Sequence, residues 1–263
     1  MARYVFQDAF ERFIVALNDA LLLDVEAGNV NYRKSNERGS AGGGLNVESR
    51  AMYRAIAVMS VAAWEDFNEQ LVSAGYDYLK RTAAKPVPHE LGQWFPPDRL
   101  QAPSSANVRK LYWSYFGLDP MPSWWFSFAA RAREIGIEAD WWAAFNDPSH
   151  LEERTRRGTD AARWLDSLVR LRHATAHQDQ KHYRQLPEIG VATPNRGKWG
   201  VTRYNGQNAI AVVTQLALCT VQALARHLDV PGRLGYLTPL RSWKLAGSAL
   251  NDLPQWPSTT EVS

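Results

Sequence analysis

Arg172, His173 and His177 fall close together in the chain, and Gln178, Asp179 and His182 follow them. A guanidinium stays charged at any ordinary pH and presents a planar fork of donors that matches a phosphate. An imidazole titrates at about 6.5, so it can take or give a proton near neutrality. Together these groups suit chemistry in which a phosphate is held while protons move. On a helix turning by about 100° per residue, Leu168, Leu165 and Ala161 lie within about 40° of Arg172. The guanidinium therefore emerges from an apolar stripe, where a charge must snorkel, pair or face another chain. His177 sits about 140° round from Arg172, with His173 at about 100°. The two converge on a ligand long enough to span that arc, on a helix end that bends, or across a symmetric interface.

Each residue also has a plainer reading. His177 could simply complement the dipole at a helix C-terminus. Arg172 could be the ion-pair partner of Glu65, and Glu65 could mark where the solvated end of its helix begins. His173 and His177, four residues apart, could ligate a metal with His182 as third ligand. The catalytic zinc pattern, however, requires Glu directly after its first His, and Ala174 occupies that place. No metal and no cofactor are expected. Gly39, Gly42, Gly43 and Gly44 look like a phosphate loop, but Leu45-Asn46 follows them where a Lys-Ser/Thr pair is required. Cys219 lies in an apolar run and reads as buried packing.

Several helices must position these groups. Phe6, Phe10, Phe13, Ile14, Leu17 and Leu21 predict an amphipathic helix from about Tyr4 to Val25, ending before a polar, glycine-rich loop from Asn36 to Asn46. From Val47 to Arg81 no proline intervenes, and Ala55 to Trp64 is apolar on every side except Ser60, the mark of a central helix. Glu65, Asp66 and Glu69 come just after. Four prolines between Lys85 and Pro97 predict a loop. Ser104-Ser105 precede a helical run from Asn107 to Phe116, and a further aromatic helix covers Trp124 to Phe145. Asp147-Pro148 reads as the start of a helix from about Ser149 to His177. Ile189 to Tyr204, turning at Pro194 to Gly197, predicts a small β-hairpin. Asn205-Gly206 ends it, and Asn208 is placed to cap a last apolar helix from Ala209 to Leu228. Past Pro231 the pattern weakens towards a tail.

Composition limits the alternatives. The chain has 263 residues, 45% of them hydrophobic, and can bury a core without staples. Its single cysteine excludes an internal disulfide and any CxxC site, which together with the lack of a signal-peptide pattern predicts a cytoplasmic setting. No run approaches the roughly 18 apolar residues of a membrane span, so none is expected. The net charge of +3 permits nucleic-acid binding without requiring it. Of 30 cationic residues 23 are Arg, and six of these fall between Arg154 and Arg172, on the helix that ends in the candidate site.

Arg172-x4-His177 at the end of an apolar helix resembles the motif of HEPN-domain proteins, in particular their ribonuclease-like toxin and phage-defence branch. Val61-Ala62-Ala63-Trp64-Glu65-Asp66-Phe67 looks like that branch's central helix, Ser104 to Gly117 is similar to its middle helix, and the hairpin with the last helix resembles its C-terminal half. The likeness covers roughly residues 4 to 228. It departs where His173 stands in place of a small polar residue such as Asn. The resemblance implies an all-α fold, a HEPN-type bundle over 1–230 with 86–146 as an insertion and 231–263 as a C-terminal extension. It further implies a homodimer whose two Arg-x4-His elements share a cleft and cut RNA without metal. Arg172, His177 and Glu65 would form the catalytic group, and His173, Gln178, Asp179 and His182 would contact substrate. A cognate antitoxin or other defence-system protein is the expected partner. The alternative is a catalytically silent HEPN module that dimerises or neutralises a partner.

Overall fold

The computed structural model describes residues 4–38, 47–82, 102–124, 151–177, 193–195 and 198–232. These form a mostly helical bundle of α1 (Gln7–Arg38), α2 (Val47–Thr82), α3 (Ser105–Phe116), α4 (Leu151–Ala176) and α5 (Arg203–His227), with a 3-10 turn at Met121–Ser123. Two short strands, β1 (Thr193–Asn195) and β2 (Lys198–Gly200), pair antiparallel, Thr193 opposite Gly200. The expected loop at 85–97, the aromatic helix at 124–145 after its first residue, and the helix start at Asp147-Pro148 lie outside the described residues.

α2 is central, touching α1, α3, α4 and α5, although its apolar run is not covered all round: Ala62 is exposed and Ala55, Val58 and Met59 are half-buried. Tyr53, Ile56, Ala57, Val61, Trp64, Phe67 and Leu71 are buried along it. Ser60, the polar exception, is buried too, and its hydroxyl donates to the Ile56 carbonyl at 2.8 Å, so no donor is stranded. α1 runs antiparallel to α2: Phe10 and Phe13 meet Phe67, while near the other end Ser49 donates to Asn31. α1 continues past the expected end at Val25 because Ala27 and Val30 still bury against the bundle. Its last turn takes in Asn36 to Arg38, which the sequence assigned to the loop.

α5 is a second central helix, buried from Gln207 to Leu224 at almost every described side chain. It begins earlier than expected. Thr202 and Asn205 form a reciprocal capping box: the Asn205 side chain accepts from the Thr202 amide at 2.8 Å, and Thr202 Oγ1 accepts from the Asn205 amide. Asn205-Gly206 is thus the first turn of the helix rather than the end of a hairpin, and Asn208 is not its cap. Gly206 lies against Tyr53 and Gly75 against Leu224, so α2 and α5 run parallel in close contact. Asn205–His227 is also long and apolar enough to cross a membrane, which corrects the sequence reading, but its side chains are nearly all buried in the bundle.

α3 lies alongside α2. Ser104 caps it by accepting from the Asn107 amide, and Gly117, at φ 66°, closes its C-terminus by donating its backbone N–H to the Trp113 carbonyl. The 3-10 turn leads into Trp124, fully buried, whose indole donates to Thr220 on α5 at 2.9 Å.

Candidate functional site

Glu65 owes its direction to the residue before it. Trp64 is fully buried, stacks on Phe67, meets Trp124 edge-on and donates its indole N–H to the Pro103 carbonyl at 3.2 Å. With the rotation of α2 held in this way, the next side chain leaves the core towards α4. Glu65 is not where a solvated helix end begins: α2 continues to Thr82 and buries Phe67, Leu71, Val72 and Leu79 on the way.

On α4, Ala161, Leu165 and Leu168 are buried as their spacing demands, and Arg172 continues their stripe. Its charge is met by pairing. Arg172 Nη1 donates to Glu65 Oε2 at 2.5 Å, across 107 residues of sequence. The two side chains keep 35% and 21% of their exposure, so the pair sits at the rim of the core, where one guanidinium edge is committed and the group still reaches solvent.

The last turn of α4 is anchored by Leu171 and Ala174, both fully buried, while His173 and His177 are exposed. The His177 amide donates to the His173 carbonyl at 3.1 Å, the regular i to i−4 bond. The helix end therefore does not bend to bring His177 to Arg172, and the two remain about 140° apart around the axis. What does come together is the histidine pair: the rings of His173 and His177 lie 4.3 Å apart between centroids. The site in one chain is thus an anchored guanidinium on one side of a helix end and two adjacent imidazoles further round. This arrangement can hold an anion and exchange protons at separate points of an extended ligand.

A clamp absent from the sequence reading ties α3 to α4. Asp166, six residues before Arg172, accepts from the Ser105 amide at 2.7 Å and from its hydroxyl at 2.8 Å. Its carboxylate thereby serves the N-terminus of α3, where charge and orphan donors favour an anion. Asp24 was missed as well. It is fully buried, accepts from Gln207 Nε2 at 3.1 Å and faces Arg203 Nε at 3.5 Å. Burial, and then the Asp24 charge, push the Tyr53 hydroxyl pKa up. The spacing of Asp24 from Leu17 and Leu21, along the apolar stripe of α1, was the available signal. Gln178, Asp179 and His182 lie outside the described residues, within which no group of three or more His, Cys, Asp or Glu side chains is arranged to hold a metal. Comparison of the chain with models of known protein families, with curated proteins and with solved structures returns no match in any of the three.

Proposed function

We propose that this chain is a metal-independent RNA endonuclease of HEPN type, a cytoplasmic homodimer acting as toxin or effector in a defence or toxin–antitoxin system. The observation that carries the reading is the Arg172–Glu65 pair at 2.5 Å, set beside a helix end with two exposed imidazoles. RNA brings its own nucleophile. The 2′-oxygen attacks the adjacent phosphorus, its proton passes to His177, the bond from phosphorus to the 5′-oxygen breaks, and that oxygen is protonated. The products are a 2′,3′-cyclic phosphate and a 5′-hydroxyl. Arg172 holds the non-bridging oxygens and the charge that builds on them, and Glu65 keeps the fork oriented. Two protomers supply two copies of His177, one to take a proton and one to give it. The arc of about 140° between Arg172 and His177 favours such a shared cleft. The small hairpin before α5 belongs to this HEPN-type fold.

A catalytically silent HEPN module is the second reading, favoured by the commitment of Arg172 to Glu65, which a purely structural ion pair would equally show. Incubating the purified protein with total RNA in EDTA, beside His177→Ala, tests both. Cleavage that leaves cyclic phosphate ends and vanishes in the variant is expected. Persistent cleavage in His177→Ala would sink the catalytic assignment, and intact RNA with the native protein would favour the silent module.

A further inference from the structure

α3 buries Val108, Leu111, Tyr112, Tyr115 and Phe116 on its inner face, yet Trp113 on its outer face is 64% exposed. Exposing an indole of this size forgoes a large hydrophobic gain, so its surroundings matter. The other large exposed apolar side chains among the described residues belong to α1 and to Val47 at the start of α2. On the helical net the neighbours of Trp113 are Arg109, Lys110, Phe116 and Gly117, and the one large apolar group among them, Phe116, is turned inward and buried. α3 carries these two cations and no acidic residue. The Arg109 fork is steadied by Asp119, with Nη2 at 2.6 Å and Nε at 3.0 Å from its carboxylate. A protein-docking patch needs exposed apolar company around its anchor, and among the described residues α3 offers none. An exposed aromatic face with two cations on the turn before it suits a flat base followed by a phosphate.

We propose that Trp113 is a stacking platform for one base of a single-stranded RNA, with Lys110 and Arg109 beside the adjoining phosphates. This rests on the ribonuclease reading and deepens it, because it gives the substrate strand a path. The start of α3 and the residues leading into it are fastened to both elements of the candidate site: Ser105 to Asp166 on α4, and Pro103 to Trp64, the residue before Glu65. Trp113 lies eight residues along α3 from Ser105, about 12 Å.

The test uses fluorescence anisotropy with a labelled, single-stranded 2′-O-methyl RNA of about 12 nucleotides, which lacks the nucleophile and stays intact. Trp113→Ala is expected to weaken binding on the order of 10- to 100-fold, and Trp113→Phe to keep most of the affinity. A duplex of the same sequence, whose bases are already stacked, should bind equally to all three proteins. Unchanged single-strand affinity in Trp113→Ala overturns the platform; a change in sedimentation alone then identifies the ring as a protein contact. The two readings fail separately. Trp113-dependent binding without cleavage of natural RNA leaves the platform standing and removes the nuclease, whereas cleavage with unaltered KM in Trp113→Ala does the reverse.

Discussion

Glu65 and Arg172 stand 107 residues apart in sequence and 2.5 Å apart in space. Each is aimed by its own core neighbours, Trp64 on α2 and Leu168 on α4, both buried. The ion pair is therefore a consequence of two independently packed helices. A pair at the rim of the core stabilises by about 1 kcal/mol or less.

Because so little stability is at stake, catalysis and folding separate cleanly at this pair. Arg172→Ala is expected to lower kcat for RNA cleavage by about 100-fold or more, the scale of losing a charge-stabilising donor. Glu65→Gln keeps Arg172 charged but loosens its aim, and should cost about 10-fold, or 1.4 kcal/mol in the barrier. Thermal midpoints should fall by only about 2–4 °C. Cleavage that drops no further than the folded fraction would mark the pair as structural.

Asp166→Asn tests the clamp between α3 and α4. The substitution removes the charge that Ser105 meets through both its amide and its hydroxyl. A loss of about 1–2 kcal/mol is expected, the range for a helix cap. Hydrogen exchange should speed up first in the opening turn of α3. Uniform loss of protection across all helices would contradict a local clamp.

Two glycines predict opposite signs. A Cβ on Gly75 would stand 2.9 Å from Phe116 and 3.2 Å from Leu224, whereas one on Gly28 meets nothing within 4 Å. Gly75→Ala should destabilise by about 1–3 kcal/mol through overpacking, less what it gains in helix propensity. Gly28→Ala should stabilise by about 0.5–1 kcal/mol. Denaturant midpoints read both, and equal shifts would refute the close approach of α2, α3 and α5.

Burial pushes the hydroxyl pKa of Tyr112 well up and that of Tyr115 to about 12, from the ordinary 10.0. For Tyr115 the Tyr76 hydroxyl adds to the effect. The unfolded chain then releases these protons at lower pH than the folded one. Between about pH 10 and 12 the unfolded state binds fewer protons, so stability falls as pH rises through that window. Below it the contribution is fully present. Tyrosinate absorbance should appear late in the native protein and together with unfolding. Early titration of every tyrosine in the folded state would contradict the burial.

Local periodicity carried much of the fold. The apolar run from Ala55 to Trp64 marked α2 as central, and Ser104-Ser105 marked the start of α3, because side-chain direction along a helix repeats with a fixed turn. Periodicity alone ends α1 too early and starts α5 too late. Burial of Ala27 and Val30 prolongs α1, and the Thr202–Asn205 capping box outcompetes the turn that Asn205-Gly206 would otherwise make.

At the candidate site, the sequence by itself determined that Arg172 leaves α4 from an apolar stripe and that its charge must be met. It also determined that His173 and His177 stand on one side of the helix end. Only the tertiary structure decided that Glu65 is the acceptor, that Asp166 fastens α3 beside it, and that the helix runs straight to His177. The reason is one of range. Helical geometry is local and can be read over a few residues, but which faces meet depends on the packing of α2, α4 and α5 together, which no single stretch of sequence encodes.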